Sequence, residues 1–117
     1  MSLHIKRVYD PVETTDGQRI LVDRIWPRGL TKEKAAVDTW LKDVAPTTEL
    51  RKWFNHDPAL WQAFRERYAR ELDANPEAVK QLRNFANSGK TTLLFAAHDP
   101  KHNNAAALTD YLNGKLP

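Results

Sequence analysis

Residues 91–97, Thr-Thr-Leu-Leu-Phe-Ala-Ala, form an almost wholly apolar run of strand length with no alternation. Such a run predicts a central strand covered on both faces. Elsewhere the pattern alternates. Leu3, Ile5, Arg7 and Tyr9, with Val8, predict a first strand over 3–9, and Ile20, Leu21, Val22 and Ile25 are the apolar members of a second over 19–26. The segment 38–44, "DTWLKDV", reads as a third strand.

Between these the period lengthens to that of a helix. The clearest case is 58–74, where Leu60, Trp61, Phe64, Tyr68 and Leu72 recur at steps of three and four. Residues 76–87 repeat the pattern through Val79, Leu82, Phe85 and Ala86, with Ser88-Gly89 as the stop. Further helices are predicted over 48–56 and 103–113, and a short one over 31–37. The tripeptide His-Asp-Pro occurs at 56–58 and 98–100, and Asn75-Pro76 is similar. An acceptor side chain before a proline suits a helix start, so each predicts an N-terminus. Strands interleaved with helices predict an α/β layered domain, a mostly parallel sheet with helices on both faces. The 117 residues correspond to one domain, 1–117. The link from 3–9 to 19–26 is too short for a helical crossover, which leaves a hairpin open there.

Composition narrows the chemistry. There is no cysteine, which excludes disulfides, thiolate nucleophiles and Cys-ligated metals. The only serines are Ser2 and Ser88, one terminal and one in a helix-ending turn, which disfavours a Ser-His-Asp triad. No Walker loop or GxGxxG is present, so no cofactor is expected. A net charge of +3 and a pI of about 9.3 suit an anionic partner without forming a polybasic arm. With no membrane-length apolar run and no signal-peptide core, a cytoplasmic protein without membrane contact is the expectation.

Parallel sheets bind ligands beyond the carboxyl ends of their strands. The first strand end carries Tyr9 and Asp10. The second, "VDRIWPRG", carries Asp23, Arg24, Trp26 and Arg28, and the apolar strand leads to His98, Asp99, Asn103 and Asn104. In the functional reading, Asp23, His98 and Asp99 are the proton-handling, catalytic candidates. Arg24 and Arg28 form a fork for phosphate or carboxylate, and Tyr9, Trp26, Asn103 and Asn104 complete the ligand-binding set. In the structural reading, Asp23 pairs with a neighbouring arginine, Trp26 is a core lid, and His98 caps the sheet edge. His98 and His102 stand four apart, but Pro100 between them removes the helical meaning of that spacing, and no metal is expected.

The segments "RVYDP", "DGQRILVDRIWPRGL", "WLKDVAPTTELRKWFNHDP", the helix 61–72 and "TLLFAAHDPKHNNAAAL" together resemble the YeaO-like branch of a large bacterial family of unknown function. The resemblance implies a compact Rossmann-like domain with recurrent polar motifs at 23–29 and 97–104, and no established activity. The broader family often carries a Cys-x-Glu and a Cys-His-Arg-like motif after the apolar strand, where this chain has Phe95-Ala96-Ala97 and Asn103-Asn104-Ala105. Closer relatives tend to carry Asn-His at the place of Asn103-Asn104, so a histidine role at 104 is missing here. The expected function is an anionic small-ligand site, phosphate- or nucleotide-like, with hydrolysis open. A nucleic-acid-binding or regulatory module is the alternative, and the oligomeric state is not legible.

Overall fold

The computed structural model describes residues 3–114. Its strands are β1 (Leu3–Arg7), β2 (Gln18–Leu21), β3 (Thr39–Trp40) and β4 (Thr91–Phe95). Its helices are α1 (Lys32–Ala35), α2 (Thr48–Phe54), α3 (Trp61–Asp73), α4 (Pro76–Ser88) and α5 (Asn104–Leu112). The strands form one sheet in the order β1-β4-β2-β3, with every pairing parallel. The chain is therefore α/β with a parallel sheet, consistent with a Rossmann-like layered fold.

The apolar run lies where its composition requires. β4 sits between β1 and β2, and all five of its residues are buried. Leu93 and Phe95 face a large core shared with Phe64, Tyr68 and Leu72 of α3, Leu82 of α4 and Leu108 of α5. Leu94 faces the other side, with Leu21, Val8 and Ala35. That second face is covered by the single turn of α1 and by Trp26, Leu30 and Trp40 rather than by long helices. The helix α4 follows the turn of α3 directly, and Asn75 donates to the Asp43 carbonyl at 2.8 Å instead of capping its own helix.

Several boundaries differ from expectation, each for a local reason. β1 and β2 are not a hairpin, because β4 is inserted between them and both run parallel to it. Residues 8–17 make this crossing with only a 3-10 turn at Thr14–Asp16. β2 ends at Leu21 instead of continuing to 26. The Val22 amide still donates to the Leu94 carbonyl at 3.1 Å, but the next acceptor offered to β4 is the Asp23 carboxylate, which receives the Ala96 amide at 2.9 Å. A side chain replaces the backbone in the ladder, and the main chain is released towards the second face. Segment 38–44 is strand only at Thr39–Trp40 and then turns 3-10 at Lys42–Val44. The first His-Asp-Pro does start a helical segment, with Asp57 accepting from the Ala59 amide at 3.0 Å. The second does not: α5 begins at Asn104, capped by Asn103, whose side chain accepts from the Ala106 amide at 2.8 Å.

Candidate functional site

The carboxyl ends of β2 and β4 open into a cavity of about 710 Å³. Tyr9, Asp23, Arg24, Trp26, Arg28, His98, Asp99, Asn103 and Asn104 all line it. Asp23 and Arg24 both reach it because the strand has already ended, so the alternation of sides along a strand no longer separates them. Phe54 and Phe64 are buried in its wall, whereas Arg28, Arg51, His56 and His98 are exposed at its edge.

Asp23 joins the two halves. Its Oδ2 accepts the Ala96 amide, and its Oδ1 accepts Asn104 Nδ2 at 2.9 Å. The same Nδ2 donates to the Val22 carbonyl at 3.0 Å. Both partners of the carboxylate are neutral amides, and among the described residues Asp23 makes no ion pair. Burial pushes its carboxyl above the ordinary range, against the hydrogen bonds from Asn104 and Ala96 and the charges of Arg51 and His56. A half-buried carboxylate without a countercharge is not the edge-closing ion pair of the structural reading.

Other members of the site have structural duties. Arg24 donates to the carbonyls of Pro46 at 3.2 Å and Ala45 at 3.1 Å. Asn103, only 2% exposed, has both ends of its amide engaged, since its Nδ2 donates to the Asp99 carbonyl at 3.0 Å. Trp26 donates to the Leu30 carbonyl at 2.7 Å and meets the Trp40 ring edge-on at 5.4 Å. It packs into the smaller core while lining the cavity. Trp40 in turn donates to the Asp23 carbonyl at 2.7 Å. Tyr9 clips the loop from above, donating its hydroxyl to the Arg28 carbonyl at 2.8 Å. The guanidinium of Arg28 itself is unengaged among the described residues.

The β4 side carries the histidines. His98 Nδ1 lies 3.4 Å from Arg7 Nη2, and Arg7 is anchored by the Ala97 carbonyl at 2.8 Å. His102 Nδ1 lies 2.8 Å from Asp99 Oδ2, and its ring stands edge-on to Trp61 at 5.3 Å. Asp99 also accepts the amides of Lys101 and His102, and these bonds, with the His102 side chain, hold its carboxyl below the ordinary range. Among the described residues no three His, Asp or Glu side chains are grouped to hold a metal ion.

Two lining residues escape a motif-by-motif reading. Arg51 comes from α2 and His56 from the turn after it, both remote in sequence from the two polar motifs. The signal for His56 lies in the backbone: Asn55 and His56 both have left-handed conformations, with φ of 45° and 56°. Asn and His tolerate that region better than most residues, but it remains strained. His56→Gly is expected to gain about 0.5–1 kcal/mol in urea unfolding. A lower unfolding midpoint would mean that the ring's contacts outweigh the backbone strain.

A family model described as "Inactive DUF488-N3 subclade" matches residues 2–117. The chain belongs to this family. This DUF488-N3 chain is 45% identical over 112 residues to the uncharacterised protein YeaO of Escherichia coli, covering 96% of the chain and 97% of YeaO. It is 40% identical over 113 residues to the uncharacterised proteins Rv3073c of Mycobacterium tuberculosis and Mb3100c of Mycobacterium bovis, covering 97% of the chain and 95% of each. No solved structure matches the chain. The YeaO-like resemblance of the DUF488-N3 motifs is thus borne out over nearly the whole length. No helix among the described residues is long and apolar enough to cross a membrane.

Proposed function

We propose that the cavity binds an anionic small molecule, phosphate-bearing or nucleotide-like, and holds it without chemical conversion. The observation that carries this reading is the charge balance of the lining. Arg28, Arg51, His56 and His98 surround the opening, while the carboxylates in the wall among the described residues, Asp23 and Asp99, each already accept hydrogen bonds within the protein. Guanidinium groups suit phosphate because their fork presents several donors to one anion. Arg24 holds carbonyls, so Arg28 and Arg51 are the arginines for the ligand.

Turnover has less support. Among the described residues no serine, threonine or cysteine lines the cavity, and each oxygen of Asp23 already accepts one amide donor. The description of the subclade as inactive agrees with binding in the absence of catalysis. The nucleic-acid alternative is weaker, because Arg7, Arg19, Arg24, Arg65 and Arg83 are tied to carbonyls or carboxylates of the chain itself.

Calorimetric titration with orthophosphate, ribose 5-phosphate and adenosine monophosphate tests the proposal. Binding to at least one is expected, and Arg28→Ala and Arg51→Ala should each weaken it about tenfold, the worth of one charge-assisted contact. Affinity unchanged in both variants, or no binding by any of the three, would discard the anion site.

A further inference from the structure

We propose that the inner end of the cavity selects a ring bearing an exocyclic amine, so that the ligand is a nucleoside monophosphate with an amino-substituted base. This rests on the anion-site reading above and adds the identity of the ligand's other end.

The hydrogen-bonding groups of the cavity are sorted by depth. Deep in the wall, four donors already have acceptors. The Ala96 amide and Asn104 Nδ2 point at Asp23, Asn103 Nδ2 at the Asp99 carbonyl, and Trp26 Nε1 at the Leu30 carbonyl. The acceptors are not filled. A carboxylate offers about four lone-pair sites, and Asp23 receives two bonds. Asn104, whose amide nitrogen bridges Asp23 and the Val22 carbonyl, leaves its Oδ1 without a donor among the described residues. His102, with Nδ1 directed at Asp99, presents Nε2 as an acceptor when its ring is neutral. At the edge the order reverses, because the open groups there are the guanidinium donors of Arg28 and Arg51.

A ligand matching both ends donates hydrogen bonds inside and carries negative charge outside. The space between is apolar and aromatic: Phe54 and Phe64 stack with centroids 4.3 Å apart, and Ile25, Pro27, Pro46 and Trp26 join the wall. Its volume of about 710 Å³ exceeds what a lone phosphate needs and falls in the range of whole small-ligand sites. An amino-substituted base supplies the flat apolar body and two N–H donors for Asp23 and Asn104, and its phosphate extends to the arginines. A base with a carbonyl at that position sets an acceptor against the carboxylate and keeps only its ring N–H as a donor, so it forfeits one of the two bonds that the amine makes.

Titration of the intact protein with adenosine monophosphate, inosine monophosphate and ribose 5-phosphate decides the matter. Adenosine monophosphate should bind at least about tenfold more tightly than either of the others. In Asp23→Asn, whose oxygen can still accept the Ala96 amide, the ratio of the adenine to the inosine nucleotide affinity should shrink to within about twofold. Equal binding of the adenine and inosine nucleotides by the wild-type protein overturns amine selection while sparing the anion site. No binding by any of the three overturns both. A preference that survives Asp23→Asn also overturns the assignment, and if that variant does not fold, the wild-type ratio decides alone.

Discussion

Gly17→Ala is expected to lower the melting temperature by about 10 °C or more, read by circular dichroism or differential scanning fluorimetry. Gly17 ends the 3-10 turn that feeds β2, and it does so at φ 66°, where a side chain is strained. Steric space is the larger problem. A Cβ there would stand 2.3 Å from the Lys90 carbonyl oxygen and 2.8 Å from its carbon, both rigid backbone atoms. That same carbonyl accepts the Gln18 amide at 2.9 Å, the bond that starts the β2–β4 ladder. Relief would require the two strands to part at their origin, which places the cost at about 3 kcal/mol or more. Gly29→Ala is the control, because its φ of 81° carries the same kind of strain but nothing lies within 4 Å of the added carbon. Similar losses at both positions would show that conformational strain alone, and not the close approach at Lys90, accounts for Gly17.

Asp16→Asn should cost about 3 kcal/mol at neutral pH and flatten the acid limb of the stability curve. Asp16 is 5% exposed and Arg19 4%, and the two form a buried ion pair between turn and strand. Lys6 adds a second cation at 2.8 Å, and the Glu13 amide donates to the same carboxylate at 3.1 Å. Arg19 also donates to the carbonyls of Ala35 at 2.9 Å and Ala36 at 3.0 Å, which ties α1 to the sheet. Burial by itself would raise the Asp16 carboxyl, but the bonds from Lys6, Glu13 and Arg19 outweigh it and hold the group at about 2 instead of 3.8. The folded protein therefore binds this proton less readily than the unfolded chain. The stabilisation is complete above pH 4 or so and disappears as the pH falls through about 2, an amount of about 2 kcal/mol. Urea unfolding at pH 5, 4, 3 and 2.5 measures it. If wild type and Asp16→Asn lose stability in parallel over that range, another carboxylate governs acid unfolding.

This network escaped a reading by motif for a physical reason. Asp16 looks like an ordinary turn residue beside Gly17, and Arg19 like the polar start of an edge strand. Nothing in their spacing says that β4 will insert between β1 and β2 and bury both. The same insertion explains the rejected hairpin. In contrast, β4 and the helices α3, α4 and α5 were legible, because each must hide a continuous apolar surface and its residues carry that requirement along the chain.

The candidate site divides along the same line. Hydropathy pattern and the rule for parallel sheets were enough to nominate the ends of β2 and β4, and the nominated side chains do line one cavity. Their individual duties were not readable. Arg24 and Asn103 have the residue types of ligand-binding groups, yet one holds the Ala45 and Pro46 carbonyls and the other caps α5. Arg51 and His56 reach the cavity from the α2 end of the chain, outside both motifs.

"VDRIWPRG" shows the division within eight residues. Its sequence alone determined that a buried strand meets charges there, since Val22 cannot remain in water at low cost and Asp23 cannot enter a core unpaired. The pattern carried the strand on to Trp26, whereas β2 stops at Leu21 and Ile25 is exposed. Only the tertiary structure decided how the strand ends. Asp23 replaces the backbone as acceptor for Ala96, Arg24 turns to the carbonyls before α2, and Arg28 is left facing the opening. A residue's need for burial or for a partner is a property of its own side chain, whereas the identity of that partner depends on which distant segments arrive beside it.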